Sequence, residues 1–188
     1  MSPPTLTLEQ RIRRLEDLES IRTLKSKYHL HVNDTDFEKV GALFTEDAYL
    51  HLGYLMPNGD PVIGKTNINV LFQGMKTNNG QSQIKQFLHS HMIEITEENA
   101  ANGSGMLYAC YGVGEKSYVV SGKYIETYER VGIAWLFKRM TLDLYFTVPL
   151  EVGWAGHKRH FLVNSGEVIP NYKDLFPNPA VKSAQPPK

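Results

Sequence analysis

Apolar residues recur at Leu8, Ile12, Leu15, Leu18, Ile21, Leu24 and Tyr28, three or four positions apart, which is the spacing of one face of an α-helix. Thr7 with Gln10 three residues later reads as a capping box at its start, and Val32-Asn33-Asp34 marks its end. Arg11, Arg13, Arg14, Glu16, Asp17, Arg22 and Lys25 fall between the apolar positions and are expected to form a solvated face. Asp36 then caps a short helix burying Phe37, Val40 and Phe44, and a strand runs through Tyr49 and His51. The stretch Pro57-Asn58-Gly59-Asp60-Pro61 is a turn signal, and Ile68, Leu71, Phe72 and Met75 return to helical spacing. From about Phe87 to Phe146 the period changes to two, broken at 97–103, 112–116 and Val131-Gly132, so four consecutive antiparallel strands are expected. Beyond Pro149 the stretch carries Gly153, Gly156, Pro170, Pro177, Pro179 and a final Gln185-Pro186-Pro187-Lys188, and it is expected to be mostly irregular. This divides the chain into a domain over 1–148 and an extension over 149–188, with roughly the last eight residues expected to be disordered.

Helices gathered ahead of a meander of long strands make an α+β domain: a strongly curved mixed or antiparallel sheet wrapped around the long N-terminal helix. The chain length of 188 residues suits one domain. Twenty Lys and Arg balance twenty Asp and Glu, so no global field attracts a polyanion, and no nucleic-acid partner is expected. Ten Tyr and seven His lean instead toward an uncharged, aromatic small-molecule ligand. The single cysteine, Cys110, excludes an intrachain disulfide and a cysteine-rich metal site. No apolar run approaches about 18 residues, so a cytoplasmic protein without a membrane partner is expected.

Three segments carry a family resemblance. Leu15-Glu16-Asp17-Leu18 through Tyr28 to Asp36-Phe37, Leu43-Phe44 and Asp47-Ala48 is similar to the opening helix pair and first strand of the SnoaL-like group in the NTF2-like (cystatin-like cone) superfamily. His91-Met92-Ile93-Glu94-Ile95 resembles the start of its long central strand. Gly122-Lys123-Tyr124-Ile125-Glu126-Thr127-Tyr128-Glu129-Arg130 with Trp135-Leu136-Phe137-Lys138-Arg139 resembles its paired strands. The resemblance implies a cone-shaped pocket, homodimers through the outer sheet face, and cofactor-free chemistry: dehydratases, polyketide cyclases, isomerases and dehydrohalogenases share the fold with non-enzymatic binding modules. The chain is also similar to SnoaL-like isomerases of fungal xanthone and anthraquinone pathways.

In many members, the resemblance implies, an aspartate at the end of helix one holds a histidine at the start of the long strand, with an arginine late in the sheet. Those positions fall on Asn33, Gln86 and Arg139, so the dyad is absent and only the arginine is kept. Asn33 retains a hydrogen bond for a carbonyl or enolate but no charge. Period-two spacing on the strand places Phe87, His89, His91, Ile93 and Ile95 on one face, offering His89 and His91 as replacement bases in an apolar pocket whose burial keeps imidazole neutral. His31 is one turn beyond Tyr28, and His51 two residues past Tyr49. Trp135, Phe137, Arg139, Thr141 and Asp143 share a parity; Arg139 with Asp143 reads either as a structural ion pair or as a guanidinium stabilising an enolate. Tyr108, Tyr124, Glu126 and Tyr128 supply further hydroxyls and a carboxylate, and the resemblance to scytalone-dehydratase-like members points to Tyr28 and Tyr49 as pocket hydroxyls.

His157, Arg159-His160 and Glu167 form no compact ligand motif, so no metal is expected. Gly112-Val113-Gly114 joins strands and opens no helix, unlike a nucleotide-binding loop. These residues point to a cofactor-free isomerase or cyclase that moves a proton on a polyketide-derived aromatic intermediate in secondary metabolism, with Trp154 and the extension as a lid. A scytalone-type dehydratase and a non-catalytic binding module are the alternatives.

Overall fold

The computed structural model describes residues 6–53, 56, 59–77, 82–113, 116–151 and 153. Helix α1 spans Leu8–Asn33 and opens with the expected capping box: Thr7 Oγ1 accepts from the Gln10 amide at 3.2 Å, while Gln10 Oε1 accepts from the Thr7 amide at 2.9 Å. Only its second half is packed. Ile21, Leu24, Tyr28 and Val32 are buried, whereas Leu8, Ile12 and Leu15 are exposed, so the apolar stripe outruns the core by two turns. Two members of the expected solvated face, Asp17 and Lys25, are buried.

A short helix, α2 (Phe37–Val40), continues into a 3-10 turn over Gly41–Leu43, and α3 spans Lys65–Thr77. Asp36 precedes α2 without capping it; its carboxylate accepts instead from Lys39 Nζ at 2.6 Å. The six strands are β1 (Phe44–His51), β2 (Val62–Ile63), β3 (Ser82–Glu97), β4 (Ala100–Val113), β5 (Lys116–Val131) and β6 (Ala134–Pro149). They form one mixed sheet in the order β2-β1-β6-β5-β4-β3. The last four strands are the expected antiparallel meander, and β1 joins it parallel to β6, with Leu50 opposite Met140. The inner face, bearing Leu107, Ala109, Val120, Tyr124, Tyr128, Phe137, Met140 and Leu142, packs with α1 into one core.

Two register breaks decide which side chains enter that core. On β3 the pairing with β4 shifts between His89 and Met92, around Ser90, which sits at φ 51°. On β6 the pairing with β5 shifts between Phe137 and Arg139, leaving Lys138 as the extra residue. A bulge increases local twist, as a sheet curling around a helix requires, and reverses the parity of the side chains that follow as far as the next break, which on β6 falls at Tyr145. On β3 the inward set is therefore Gln86 and Leu88 before the break and His91, Ile93 and Ile95 after it. On β6 it passes from Trp135 and Phe137 to Met140 and Leu142. Strict alternation across these strands does not hold.

Candidate active site

Four aromatic rings, Tyr28, Tyr124, Tyr128 and Phe137, floor the cone, with Tyr28 5.9 Å from Phe137 and 6.3 Å from Tyr124 between centroids. Lys25 and Glu126 are set into this apolar floor. Lys25 Nζ donates to Glu126 Oε1 at 2.5 Å, both side chains are fully buried, and the ammonium lies 3.4 Å from the Tyr124 ring centroid. Burial pushes the Lys25 amine below its usual range and outweighs the opposing pull of Glu126.

The other carboxylate oxygen extends the network toward β3. Tyr128 Oη donates to Glu126 Oε2 at 2.6 Å, and His91 Nε2 lies 3.0 Å from Tyr128 Oη. A phenol has one hydrogen, and Glu126 holds it, so Tyr128 Oη accepts from His91. This assigns the neutral tautomer from the hydrogen-bond network: Nε2 carries the proton and Nδ1 keeps a free lone pair. Burial lowers the His91 pKa, Glu126 opposes that shift, and the charges of Lys25 and Arg22 reinforce it. His91 retains 10% side-chain exposure and its Nε2 is 3.8 Å from Glu126 Oε2. A neutral, largely buried imidazole is thus backed, through one phenol, by a buried carboxylate.

Backbone features hold this geometry. The Ser90 bulge turns His91 inward. Gly103 faces Ile93 on β3 and Glu126 on β5, and a Cβ there would lie 2.7 Å from the Tyr128 ring, so only glycine lets that ring lie flat enough to reach His91. At the open end of α1, Asn33 clasps β3: its Nδ2 donates to the Gln86 carbonyl at 2.9 Å, and its Oδ1 accepts from the Gln86 amide at 2.7 Å. Lys85 Nζ donates to the Asn33 carbonyl.

The sequence-derived candidates separate accordingly. His91 enters the cone; His89 and Phe87 lie on the opposite, exposed face, where Phe87 packs 6.5 Å from the exposed Tyr108. The Ser90 bulge is the reason that His89 and His91 do not share a face. Arg139 and Asp143 are also exposed outside the sheet, displaced by the Lys138 bulge, and the Arg139 guanidinium stacks 3.8 Å from the Tyr49 ring centroid. Tyr49 therefore belongs to the outer face and is not a pocket hydroxyl. His51 Nε2 approaches the Gly59 carbonyl at 3.2 Å. His31 stands 4.0 Å from Asp36 rather than beside the inward Tyr28. Asn33 meets the Gln86 position, but as a structural clasp with both amide atoms occupied. Phe137 is in the floor, and Trp135 closes the base of the cone, its Nε1 donating to Asp17 at 3.0 Å, with Arg130 paired to the same carboxylate. Trp154, His157, Arg159, His160, Glu167 and the extension as lid lie outside the described residues.

A surface groove of about 620 Å³ lies elsewhere, between α1 and the β5–β6 turn, lined by residues such as Glu19, Lys27, Leu43 and Ile133. It contains none of the network above.

Sequence reasoning placed Lys25 on the wrong face and gave His29 and Gln86 no site role. The signal for Lys25 was its position four residues after Ile21 and three before Tyr28, the flank of the apolar stripe. Glu126 had its signal too, alternating with Tyr124 and Tyr128 on one parity of β5.

Among solved structures, the chain resembles a candidate scytalone dehydratase from Novosphingobium aromaticivorans at 21% identity, covering 72% of this chain and 88% of that one with a TM-score of 0.63. It is also similar to the hexachlorocyclohexane dehydrochlorinase LinA-type3 from Novosphingobium barchaimii (17% identity, 74% and 94% coverage, TM-score 0.65). A candidate aromatic ring hydroxylase from Novosphingobium aromaticivorans matches at 24% identity, 72% and 94% coverage, and TM-score 0.62. At these identities the likeness is one of fold, and the fold carries differing chemistries. A comparison with curated protein sequences yields no match. Residues 13–141 match the family model of the SnoaL-like domain; with the helix-wrapped mixed sheet and inward-facing polar network, the chain belongs to the SnoaL-like domain family.

Proposed function

We propose that this protein is a cofactor-free enzyme of small-molecule conversion, an isomerase or cyclase in which neutral His91 removes a carbon-bound proton beside a carbonyl. The observation that carries this reading is the run His91, Tyr128, Glu126, Lys25. His91 Nδ1 takes the proton, and the C–H electron pair becomes an enolate. The new imidazolium is stabilised through its Nε2–H to Tyr128 and by the Glu126 carboxylate 3.8 Å away. Returning the same proton to a different carbon completes an isomerisation; attack of the enolate carbon on a second carbonyl makes a C–C bond and an alkoxide, which takes the proton back from His91 to complete a cyclisation.

Glu126 supplies the negative charge that Asn33 cannot, from β5 instead of the end of α1. The aromatic floor suits a flat, unsaturated substrate whose C–H is already acidified by neighbouring carbonyls, and a polyketide-derived aromatic in secondary metabolism, as in fungal xanthone and anthraquinone pathways, has that chemistry. The likeness to a candidate scytalone dehydratase favours a second reading, elimination of water after the same proton abstraction. Product mass separates the two, since only the dehydratase loses water.

The general reading is tested with 2-tetralone, an aromatic ketone with acidic C–H bonds, in D2O. The protein is expected to accelerate deuterium incorporation over buffer, and His91→Ala to lose roughly two to four powers of ten of that acceleration. Undiminished exchange by His91→Ala refutes the assignment.

A further inference from the structure

His29, on α1 one turn beyond Lys25, is 7% exposed, and neither of its ring nitrogens has a hydrogen-bond partner among the described residues. Its ring stands edge-on to Tyr28 and Tyr124, with centroids 5.4 and 5.8 Å away and interplanar angles of 86° and 79°, so aromatic packing fixes its orientation. Its polar neighbours have other partners: Lys25 and Tyr128 bond Glu126, Asn33 bonds the Gln86 backbone, and the Gln86 side chain accepts from Tyr124 Oη at 3.3 Å without meeting His29 at hydrogen-bond geometry. A neutral imidazole carries one N–H in either tautomer, so one donor here is buried and unmet, a state that native interiors avoid unless a partner arrives.

We propose that His29 is a second catalytic residue of the cone: its free ring N–H receives the substrate oxygen that becomes an enolate as His91 removes the carbon-bound proton. The inference rests on the reading of His91 as base. The two histidines come from different elements, α1 and β3, which pack against each other, so a donor and a base are brought to one region of the cone from separate parts of the chain. A fixed neutral donor in a water-poor site stabilises developing negative charge more than the uncharged ketone. Burial, and then the charge of Lys25, hold the His29 pKa down at about 3, the Gln86 side chain opposing; protonation of His91 during turnover lowers it further, so the ring stays a neutral donor and does not compete with His91 for the proton.

The probe is 4-nitrophenolate, whose oxygen mimics an enolate, compared with nitrobenzene, which lacks it. The native protein is expected to bind the phenolate at least about tenfold more tightly, and His29→Phe to abolish that preference while binding nitrobenzene unchanged. His29→Gln, which keeps an N–H, is expected to restore part of the preference. His29→Phe is also expected to match or exceed the thermal stability of the native protein, because it removes an unmet buried donor; a merely structural histidine would lower stability and leave the preference intact. A native protein without preference for the phenolate, or His29→Phe retaining it, overturns the proposal. Phenolate preference with no exchange of 2-tetralone instead counts against His91 as base and leaves the His29 contact standing.

Discussion

Removing either half of the Lys25–Glu126 pair is expected to cost far more than removing both. The two charges are 2.5 Å apart and fully buried. At an effective dielectric near 20 their gross attraction is about 7 kcal/mol, comparable with the several kcal/mol that each ion gives up in leaving water. The intact pair therefore adds little net stability, which agrees with the lowered pKa of Lys25 despite its partner. Lys25→Met leaves the Glu126 carboxylate with the Tyr128 hydroxyl and no cation; Glu126→Gln leaves an ammonium facing an amide. Each is expected to lower unfolding free energy by about 3–5 kcal/mol. The double variant, an unbranched apolar chain beside a neutral amide, is expected within about 2 kcal/mol of the native protein, so against single losses summing to about 6–10 kcal/mol the coupling is at least about 4 kcal/mol. Urea titration followed by fluorescence measures this, with the midpoint moving at constant slope. The folded double variant is expected to be inactive, because the charge behind His91 is gone. Single-variant losses that add to within about 0.5 kcal/mol would show that the pair is not coupled as its geometry requires.

Further expectations follow from the same site. Because burial depresses the His91 pKa, the base is unprotonated at neutral pH, and kcat/KM should be flat there and fall only on acidification, with a midpoint below the free value of 6.5; a midpoint above 6.5 contradicts the burial argument. Asn33→Asp replaces the donor that holds the Gln86 carbonyl with a carboxylate, so it should lower stability by about 1–3 kcal/mol and not raise turnover; a gain in turnover would mean that a dyad with α1 can still form. Arg139→Ala and His89→Ala, both outside the cone, should leave turnover within about twofold of the native rate, whereas a loss of two powers of ten in either would return catalysis to the outer face.

The fold was largely legible because its signals are local. The Thr7–Gln10 box, the change from helical to period-two spacing, and the turn signals around 97–103 and at Val131-Gly132 each specify an element without reference to the rest of the chain, although β3 starts at Ser82, ahead of Phe87, and the first turn is only Glu98-Asn99. The site was half legible. His91 was among the candidates, but the alternation that grouped it with Phe87 and His89 is broken at Ser90, and Glu126 was legible only as a carboxylate sharing a parity with Tyr124 and Tyr128. Two single-residue bulges, at Ser90 and Lys138, reverse the faces of β3 and β6, and neither serine nor lysine announces a bulge as a strand glycine does. His89 and Arg139 were thereby carried to the wrong side. Lys25 was assigned to solvent because a lone lysine seldom enters a core. Its burial depends on a carboxylate 101 positions later in the chain, which no helical pattern reports. The exposed Leu8, Ile12 and Leu15 show the converse: periodicity predicts a face without showing how far the core extends along it.

Proton abstraction by His91 depends most directly on the protonation of one ring. Nitrogen-15 chemical shifts of labelled His91, followed against pH in the native protein and in His91→Gln for assignment, report which nitrogen carries hydrogen. The expected result is a neutral ring at pH 7 with Nε2 protonated and Nδ1 bare, titrating below 6.5, and loss of that tautomer preference in Tyr128→Phe. A ring protonated on Nδ1 at pH 7, or one charged there, would contradict a base backed by Tyr128 and Glu126.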